Sequence, residues 1–471
     1  MKNILFIFAD QHRQDCLGCY GNPVVKTPNI DKLAKNGIRF TNALTPTAVC
    51  TPARTSLQCG LHAHKHGVTF NPEWHGRDGG NLDVPPKIKF FSQYLKKNKW
   101  RTAHIGKWHI GEKNKPSDYG YEGEYYPGYG LPFTHKHYLR YIKKYGVDKF
   151  RLLEGKKDPS GRRLYHGLQE GPQEVSTPGY LANQTIRKIK EYSASKRPFF
   201  ISCNFWGPHA PYNITGKHYR MYDNAVKDIK PWNNFNNSTA GKPFVIKRNQ
   251  QLFLTDWFNE KNLPELISKY YGYISLLDEE IGRIINFLKE SGELENTIII
   301  YAADHGETTG SYRMWDKGFG MYDVMYKIPF IISNPGIKPG TSSAFVSLLD
   351  LAPTFLDIAG LKYPKNNFDG VSLKPLFTGK KKKVRGEYIV CEAFGHQFKY
   401  EQRMVRTKNA KYIYNYTDKD EYYDLKKDPG ETKNIIDRVK KEKLRKMKTI
   451  LKKWMAATCD PLLTYSRLFL Q

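Results

Sequence analysis

The chain has 471 residues, with 75 Lys and Arg side chains against 46 Asp and Glu, which gives a formal net charge of +29. This length fits one large domain or two unequal ones, and the excess of cations would concentrate polyanions near the surface. We find no helix-turn-helix, zinc-finger or RNA-binding signature, which argues against the usual nucleic-acid-binding classes. Charge alone does not distinguish another polyanionic partner from a solvated basic surface.

The cysteines and the apolar segments bear on the cellular compartment. Seven cysteines, an odd number, do not indicate a disulfide framework and favour a reducing compartment. No segment reaches the roughly 20 apolar residues of a membrane-spanning helix. The apolar run at residues 4–8 is too short for a signal peptide, and Asp10 interrupts it. We therefore expect an unprocessed cytoplasmic protein, with a secreted protein that has lost its leader as the alternative.

Short apolar runs rich in Ile, Phe and Val alternate with helical patterns along the chain. In chain order, strands are predicted at residues 4–8, 102–105, 199–205, 297–301 and 328–332, and helices at 30–36, 178–193 and 266–291. Continuous apolar strands are buried on both faces, which is typical of a parallel sheet covered by helices. The sequence therefore predicts an α/β fold with a large, mostly parallel or mixed sheet sandwiched by helices.

The composition changes near residue 380, where four consecutive lysines indicate a solvated linker. Beyond it, short strand patterns precede a basic helix at residues 436–455. We predict a main catalytic domain at residues 1–375. A smaller C-terminal α+β subdomain at residues 384–471 would consist of an antiparallel sheet with one helix.

Polar side chains follow four of the predicted strands, at the edge where ligands gather in open α/β sheets. They comprise hard oxygen donors, imidazoles and a lysine, namely Asp10, Gln11, Lys107, His109, His209, Asp304 and His305. A polar residue must end most strands, and Asp10 taken alone is explained as a cap on the following turn. All four strand ends together are difficult to explain as packing, so we predict that these side chains converge on one site.

Residues 50–60 read Cys-Thr-Pro-Ala-Arg-Thr-Ser-Leu-Gln-Cys-Gly. Pro52 suits the first turn of a helix, because its missing N–H costs nothing there. Cys50 then lies at the helix N-terminus, and Arg54, four residues on, shares its face. A cysteine beside a guanidinium and the positive end of a helix dipole faces an anion-binding corner. The alternative is a small buried cysteine that precedes a helix and has no chemical role.

This segment resembles the signature of the type I sulfatases of the alkaline-phosphatase superfamily, Cys-x-Pro-(Ser/Ala)-Arg followed by Leu and Gly. The matching positions are Cys50, Pro52, Ala53, Arg54, Leu57 and Gly60. The likeness extends almost end to end and implies an alkaline-phosphatase-like fold. It also implies that Cys50 is oxidised to formylglycine (3-oxoalanine) by a formylglycine-generating enzyme or a radical sulfatase-maturating enzyme. The hydrate of that aldehyde would carry the attacking oxygen.

The resemblance further implies one divalent metal ion, most often Ca²⁺, with Mg²⁺ or Mn²⁺ as alternatives. Oxygen-rich ligands suit these hard ions rather than a thiolate-binding metal. The ligands it implies are Asp10, Gln11, the modified Cys50, Asp304 and His305. Many sulfatases have Asp and Asn at the positions of Gln11 and His305, and the Gln and His of this chain occur in other branches.

Six residues receive catalytic roles by the same resemblance: Cys50, Arg54, Lys107, His109, His209 and Lys317. Arg54 would hold the hydrate, and Lys107 and Lys317 would clamp the sulfate oxygens. His109 would deprotonate the second hydroxyl of the hydrate. His209 would protonate or polarise the leaving oxygen, with Lys317 as a second donor. Lys107 and His109 are two residues apart, so an extended segment would project both from the same side.

We therefore predict a sulfuric ester hydrolase that removes sulfate from an anionic carbohydrate, such as a glycan or a glycosaminoglycan-type ester. The polar, aromatic segments at residues 114–180 and 213–262 would be long insertions that set specificity. A phosphonate monoester or phosphodiester hydrolase of the same superfamily is the nearest alternative, although such enzymes tend to lack the Lys-x-His pair. A non-catalytic polyanion-binding protein, in which Cys50 is never oxidised, is the alternative of another class. The expected partners are a sulfated saccharide or another organosulfate substrate and a maturation enzyme, and neither a membrane nor a nucleic acid.

Overall fold

The computed structural model describes residues 2–74, 80–126, 130–195, 197–236 and 238–466. The strands are β1 Asn3–Ala9, β2 Gly37–Leu44, β3 Arg101–Lys107, β4 Tyr125–Tyr126, β5 Leu152–Lys157, β6 Leu164–Gln169, β7 Phe199–Asn204, β8 Tyr212–Thr215, β9 Thr297–Ala303, β10 Phe330–Ser333, β11 Gly340–Ser347, β12 Tyr388–Gly395, β13 Lys399–Thr407, β14 Ala410–Asn415 and β15 Glu421–Asp424. The helices are α1 Pro28–Lys35, α2 Cys50–Cys59, α3 Ala63–His66, α4 Phe91–Lys97, α5 Lys136–Lys143, α6 Thr177–Ser193, α7 Gly216–Arg220, α8 Phe244–Phe253, α9 Asn262–Glu290, α10 Asp323–Tyr326, α11 Leu351–Ile358, α12 Lys374–Phe377, α13 Lys441–Thr458 and α14 Leu462–Ser466.

The main sheet has eight strands in the order β11-β2-β10-β9-β1-β7-β3-β4. Strands β9, β1, β7, β3 and β4 are parallel, whereas β10 is antiparallel to both of its neighbours. Every residue of β1, β7 and β9 is buried, which explains their uninterrupted apolar sequences. The predicted α/β fold with a large mixed sheet is therefore confirmed. The apolar pattern of β10 indicated its burial but not its direction.

Helices cover both faces of this sheet. On one face, the ring of Phe200 in β7 packs against Phe91 of α4 and Phe355 of α11. Cys203 has the opposite parity on the same strand, so its side chain points to the other face, where it contacts Thr185 of α6. Helices α9 and α1 pack with α6 as part of that second layer. The α9 prediction is confirmed, since its periodic apolar stripe lies in a 29-residue helix.

The C-terminal part of the chain forms an antiparallel sheet in the order β12-β13-β14-β15. Helix α13 packs on it through Met447, Leu451 and Met455, which bury the apolar face of the helix against Val405 and Tyr412. The smaller antiparallel subdomain is thus confirmed, although its helix begins at residue 441 rather than 436. The division of the chain into residues 1–375 and 384–471 stays a prediction.

The two segments predicted as long insertions contain regular structure. Residues 114–180 include α5 and the strands β5 and β6, which form a three-stranded sheet with β8. Residues 213–262 include α7 and α8. Strand β5 is almost entirely exposed, so it has no alternating apolar pattern by which the sequence could reveal it. Among the described helices, none is long and apolar enough to cross a membrane.

Candidate active site

Helix α2 positions Cys50 and Arg54. The helix begins at Cys50, and all ten of its residues are buried. It ends at Gly60, whose φ of 68° is left-handed and whose N–H donates to the Ser56 carbonyl over 2.7 Å. Cys50 is therefore fixed at the N-terminus of a rigid, enclosed element, and Arg54 lies one turn further along the same face.

Two carboxylates reach this helix from adjacent strands. Ala9 of β1 and Ala303 of β9 are paired in register, so Asp10 and Asp304, which follow them, emerge side by side. Arg54 joins both, with Nη2 donating to Asp10 Oδ2 over 2.8 Å and Nε to Asp304 Oδ2 over 3.0 Å. Its Nη1 also donates to the Lys107 carbonyl over 3.1 Å. Arg54 thus orients the two carboxylates, a contact that the sequence interpretation did not foresee.

Cys50 lies at the centre of the cluster. Its Sγ is 3.3 Å from His305 Nε2, 3.9 Å from Asp10 Oδ1 and 3.9 Å from Lys107 Nζ. The side chains of His109 and His209 also interact with it. Burial raises the pKa of the Cys50 thiol, but the ammonium groups of Lys107 and Lys317 outweigh burial and hold that pKa well below its usual range. The residue is therefore held in an environment that stabilises negative charge.

Two lysines that lie far apart in the sequence, Lys107 and Lys317, bring their ammonium groups to the Cys50 cluster. Lys107 Nζ lies 2.7 Å from Asp10 Oδ2 and 4.3 Å from the centre of the Trp206 ring. Lys317 Nζ lies 2.7 Å from His209 Nε2 and 3.0 Å from Asp316 Oδ1. Burial and then the Lys317 charge lower the pKa of His209. The two ammonium groups thus give the cluster its positive charge.

His109 reaches the site by a route other than the predicted one. Its φ of 50° is left-handed, so residues 107–109 are not the extended segment predicted from the sequence, and the two side chains do not share a side by alternation. The turn still brings the imidazole to Cys50. His109 Nε2 also lies 3.1 Å from Glu73 Oε1, so the carboxylate of an exposed residue orients the ring.

The carboxylate and amide oxygens around Cys50 fit a hard divalent cation, and the sulfur of Cys50 stands where the modified residue would offer an oxygen. Asp10, Cys50, Asp304 and His305 each offer one ligand atom, and these atoms lie within 4.8 Å of one another. Gln11 Oε1 is buried and has no hydrogen-bond partner among the described residues, which leaves it available as a further oxygen ligand. Carboxylate and amide oxygens are the ligands that Ca²⁺ and Mg²⁺ prefer.

The charge balance of the cluster also fits a cation. The cations Lys107 and Arg54 outweigh burial and hold the pKa of Asp10 below its usual range. Burial and the Asp10 carboxylate raise the pKa of Asp304 to about 6. Burial lowers the pKa of His305, but Asp304 outweighs it and raises that pKa to about 9. Negative charge from Asp10, Asp304 and Cys50 is therefore concentrated around His305, which is an environment that favours a divalent cation.

All ten sequence-predicted site residues lie in this one cluster. Several neighbours were missed: Glu73, Trp206, Glu307 and Asp316 contact these residues, and His396 lies 3.9 Å from Asp316. The Gln11 side-chain amide donates to Glu307 and, over 3.1 Å, to Asp316 Oδ1. Glu307 and Asp316 adjoin predicted residues in the chain, so proximity to Asp304 and Lys317 was an available signal. His396 comes from the end of β12, and no local pattern marks it.

Comparison with known proteins agrees with this geometry. A profile of the family described as Sulfatase matches residues 2–361. The chain belongs to the sulfatase family. It is thus a sulfuric ester hydrolase, of a family that generally uses a metal ion and a formylglycine. A second profile, described as N-sulphoglucosamine sulphohydrolase, C-terminal, matches residues 310–457 of this sulfatase.

Among relatives, the N-acetylglucosamine-6-O-sulfatase of Bacteroides thetaiotaomicron is 29% identical, over 94% of this chain and 84% of that protein. The arylsulfatase of Clostridium perfringens is 29% identical, over 95% of this chain and 93% of that protein. A structure solved with its substrate D-glucosamine-2-N,6-O-disulfate superposes with a TM-score of 0.77 at 22% identity, covering 98% of both chains. The phosphonate monoester hydrolase of Agrobacterium radiobacter superposes with a TM-score of 0.78 at 24% identity, covering 97% and 95%. These two structures share the fold with this chain.

Proposed function

We propose that this sulfatase hydrolyses sulfate monoesters of an anionic saccharide, with Cys50 oxidised to formylglycine as the nucleophile and Ca²⁺ as the metal ion. The observation that carries the proposal is the position of Cys50, buried at a helix N-terminus between two lysines, three histidines and the Asp10–Asp304 pair. A formylglycine-generating or radical sulfatase-maturating enzyme is the partner that the conversion of Cys50 requires.

The saccharide part of the proposal is supported by relatives. Besides the N-acetylglucosamine-6-O-sulfatase, a delta 4,5-hexuronate-2-O-sulfatase of Bacteroides thetaiotaomicron is 26% identical over 94% of this chain. Both are named for sugar sulfates. A choline-sulfatase of Rhizobium meliloti is 26% identical over 92% of this chain, so overall identity by itself does not select the alcohol. The net charge of +29 favours an anionic polymer over a cationic alcohol such as choline.

The chemistry follows from the groups around residue 50. One hydroxyl of the hydrated aldehyde would lose its proton to solvent and attack sulfur, and the bond from sulfur to the alcohol oxygen would break. Lys107 and Lys317 would neutralise the sulfate oxygens, and the hydrogen-bonded pair of His209 and Lys317 would supply a proton to the leaving oxygen. His109 then takes the proton of the second hydroxyl, which expels sulfate and restores the aldehyde. Addition of water to the aldehyde regenerates the hydrate.

The metal ligands we propose are Asp10, Gln11, Asp304 and His305, together with the oxygen of modified residue 50. When bound, the ion would lower the pKa of the attacking hydroxyl and fix its direction. Arg54 positions the two carboxylates for this task, because it donates one hydrogen bond to each. Removing the metal with a chelator, followed by addition of Ca²⁺, Mg²⁺ or Mn²⁺ separately, tests its identity. Recovery with Mg²⁺ or Mn²⁺ but not Ca²⁺ would contradict our assignment.

The decisive experiment compares substrates on matured protein. Mass spectrometry of the peptide that contains residue 50 first verifies conversion, which lowers the mass by about 18 Da. The protein is then assayed with sulfated mono- and disaccharides, 4-nitrophenyl sulfate, a phosphonate monoester and a phosphodiester. We expect the sulfated sugars to give the highest kcat/KM. Higher kcat/KM for the phosphonate or phosphodiester would favour the other branch of the superfamily, and no turnover of any ester would favour a binding protein.

A further inference from the structure

A basic groove lies between the C-terminal sheet and α13, away from the active site. Its volume is about 720 Å³. Six cationic side chains line it: Lys408, Lys426, Arg438, Lys440, Lys443 and Lys446. None of the six forms an ion pair with a carboxylate within the part of the chain that the structure describes. We refer to it as the C-terminal groove.

The carboxylates of the C-terminal groove do not balance these cations. Among the residues that the structure describes, Glu387 and Asp424 are the only carboxylates in its lining. Glu387 is bonded to Lys383 over 2.8 Å, and Asp424 Oδ1 accepts the backbone N–H groups of Lys426 and Lys427. Six positive charges therefore face two carboxylates that are engaged elsewhere, and the groove has a strongly positive potential.

The floor of the groove is apolar and aromatic. Met447 and Ile450 of α13 and the ring of Tyr422 form its base, and Tyr388 at the start of β12 remains 39% exposed. An exposed aromatic ring beside ammonium groups suits a sugar that carries anionic substituents, because the ring packs on C–H groups and the cations bind the anions. Single-stranded nucleic acid binding uses several stacking rings along a groove, whereas this groove exposes one such ring among the described residues.

Strand β12 connects the groove with the catalytic centre. It begins at Tyr388 in the groove and ends at Gly395, next to His396, whose Nδ1 lies 3.9 Å from Asp316 Oδ2. At a rise of about 3.3 Å per residue, the strand separates the two places by about 25 Å. A monosaccharide or disaccharide cannot occupy both, but a polymer can.

We propose that the C-terminal groove is a second, non-catalytic binding site for a sulfated polysaccharide chain. It holds the polymer while one of its esters occupies the active site. This inference rests on the proposed function for its ligand class, but not for its geometry. The C-terminal groove raises the affinity of the enzyme for polymeric substrates, and it leaves the turnover of small sulfate esters unchanged.

The test compares two triple variants with the same loss of charge. The groove variant is Lys440→Gln, Lys443→Gln and Lys446→Gln. The control variant is Lys441→Gln, Arg445→Gln and Lys452→Gln, three exposed positions on α13 that do not line the groove. Binding of heparin and of dextran sulfate is measured at 0.15 M salt, and the kinetics of 4-nitrophenyl sulfate and of a sulfated polymer are measured alongside. Thermal melts verify that both variants are folded.

We expect the groove variant to lose roughly tenfold or more in affinity for the sulfated polymers, with a higher KM for polymer and unchanged kinetics on 4-nitrophenyl sulfate. We expect the control variant to bind nearly as the wild type does. Equal losses in both variants would show a response to net charge alone and overturn the proposal, as would no loss in either. Tighter binding of duplex DNA than of heparin, lost with the same three lysines, would also overturn it. Failure of the proposed function would appear separately, as no turnover of any sulfate ester.

Discussion

At the scale of single residues, the site is built from opposite charges in a dry environment. Asp10, Cys50, Arg54, Lys107 and Asp304 are all nearly or completely buried. Removing one partner of such a network leaves the other uncompensated, which destabilises the protein as well as the chemistry. Substitutions that test chemistry must therefore change residue 50 or the groups that face the substrate, and leave the Arg54–carboxylate pairs intact.

Replacing the proposed nucleophile should abolish hydrolysis. We expect Cys50→Ala to lower kcat/KM by roughly a thousandfold or more, because no oxygen nucleophile can form at that position. The measurement is sulfate release from the best sugar sulfate by matured protein. Cys459→Ala is the matched control, since Cys459 is exposed and lies just after α13. Full activity in Cys50→Ala would exclude the covalent mechanism.

The leaving-group proton can be tested with His209. We expect His209→Ala to lower kcat for a sugar sulfate by about 10²–10⁴. The loss should be much smaller for 4-nitrophenyl sulfate, whose leaving group needs little protonation. His137→Ala, on the exposed side of α5, serves as the control. An equal loss on both substrates would assign His209 to binding or positioning rather than to acid catalysis.

At the scale of single elements, α2 ends sharply at its C-terminus. Gly60 ends it with a φ of 68°, a conformation that side chains rarely adopt. A Cβ at this position would also lie 2.5 Å from Cδ1 of Phe368 and 3.2 Å from Cβ of Ala352. The end of the helix is therefore fixed twice, by backbone geometry and by close packing.

Gly60→Ala should destabilise the protein more than a glycine change of the same backbone conformation elsewhere. Gly360 has a φ of 69° and would place its Cβ in open space, so Gly360→Ala measures the backbone effect alone. We expect Gly360→Ala to lower the free energy of unfolding by about 1–2 kcal/mol. We expect Gly60→Ala to lower it by about 1–3 kcal/mol more, because the added methyl group overpacks the site. Urea unfolding of both variants gives the comparison. Equal losses would show that Phe368 moves aside without penalty.

At the scale of the whole molecule, a buried polar cluster joins α3 to the C-terminal sheet. Nδ1 of His64 in α3 lies 2.5 Å from Oε1 of Glu392 in β12, and Nε2 of the same ring lies 3.0 Å from the Thr458 carbonyl oxygen. Arg403 of β13 binds Asp460 through two hydrogen bonds of 2.6 and 2.9 Å. These contacts hold α3, and thus the end of α2, against the C-terminal subdomain.

This cluster predicts a pH-dependent stability. Burial lowers the pKa of His64, but the Glu392 carboxylate outweighs it and raises that pKa above its usual value of 6.5. A raised folded-state pKa contributes stability that is fully present below pH 6.5 and is lost as pH rises through the folded value. We expect the stability difference between wild type and His64→Gln to shrink above pH 6.5, as measured by urea unfolding from pH 5.5 to 9. A difference that stays constant with pH would contradict the ion pair.

Much of the site was predictable because its residues lie in recognisable local sequence patterns. The Cys50–Arg54 spacing and the polar residues after β1, β3, β7 and β9 are visible without any knowledge of pairing. Glu307 was missed although it follows Asp304 by only three residues. Its partner is the Gln11 side chain just after β1, and no periodic pattern in the sequence indicates such a contact between distant segments. Its pKa, raised to about 7 by burial and then by Asp316, depends wholly on tertiary neighbours.

The sequence by itself determined five of the strands of the main sheet (β1, β3, β7, β9 and β10), where the reactive helix begins and which side chains follow the ends of four of these strands, because burial and turn formation depend on neighbouring residues. It did not reveal β2, β4 or β11. Only the tertiary structure decided that β10 is antiparallel, that β5 and β6 form their own sheet with β8, and that His396 comes within 3.9 Å of Asp316. The physical reason is that hydrophobic patterning reports how deeply a segment is buried, but not which distant segment covers it. The C-terminal groove belongs to this second class, since its six cations come from three separate stretches of chain that only the fold brings together.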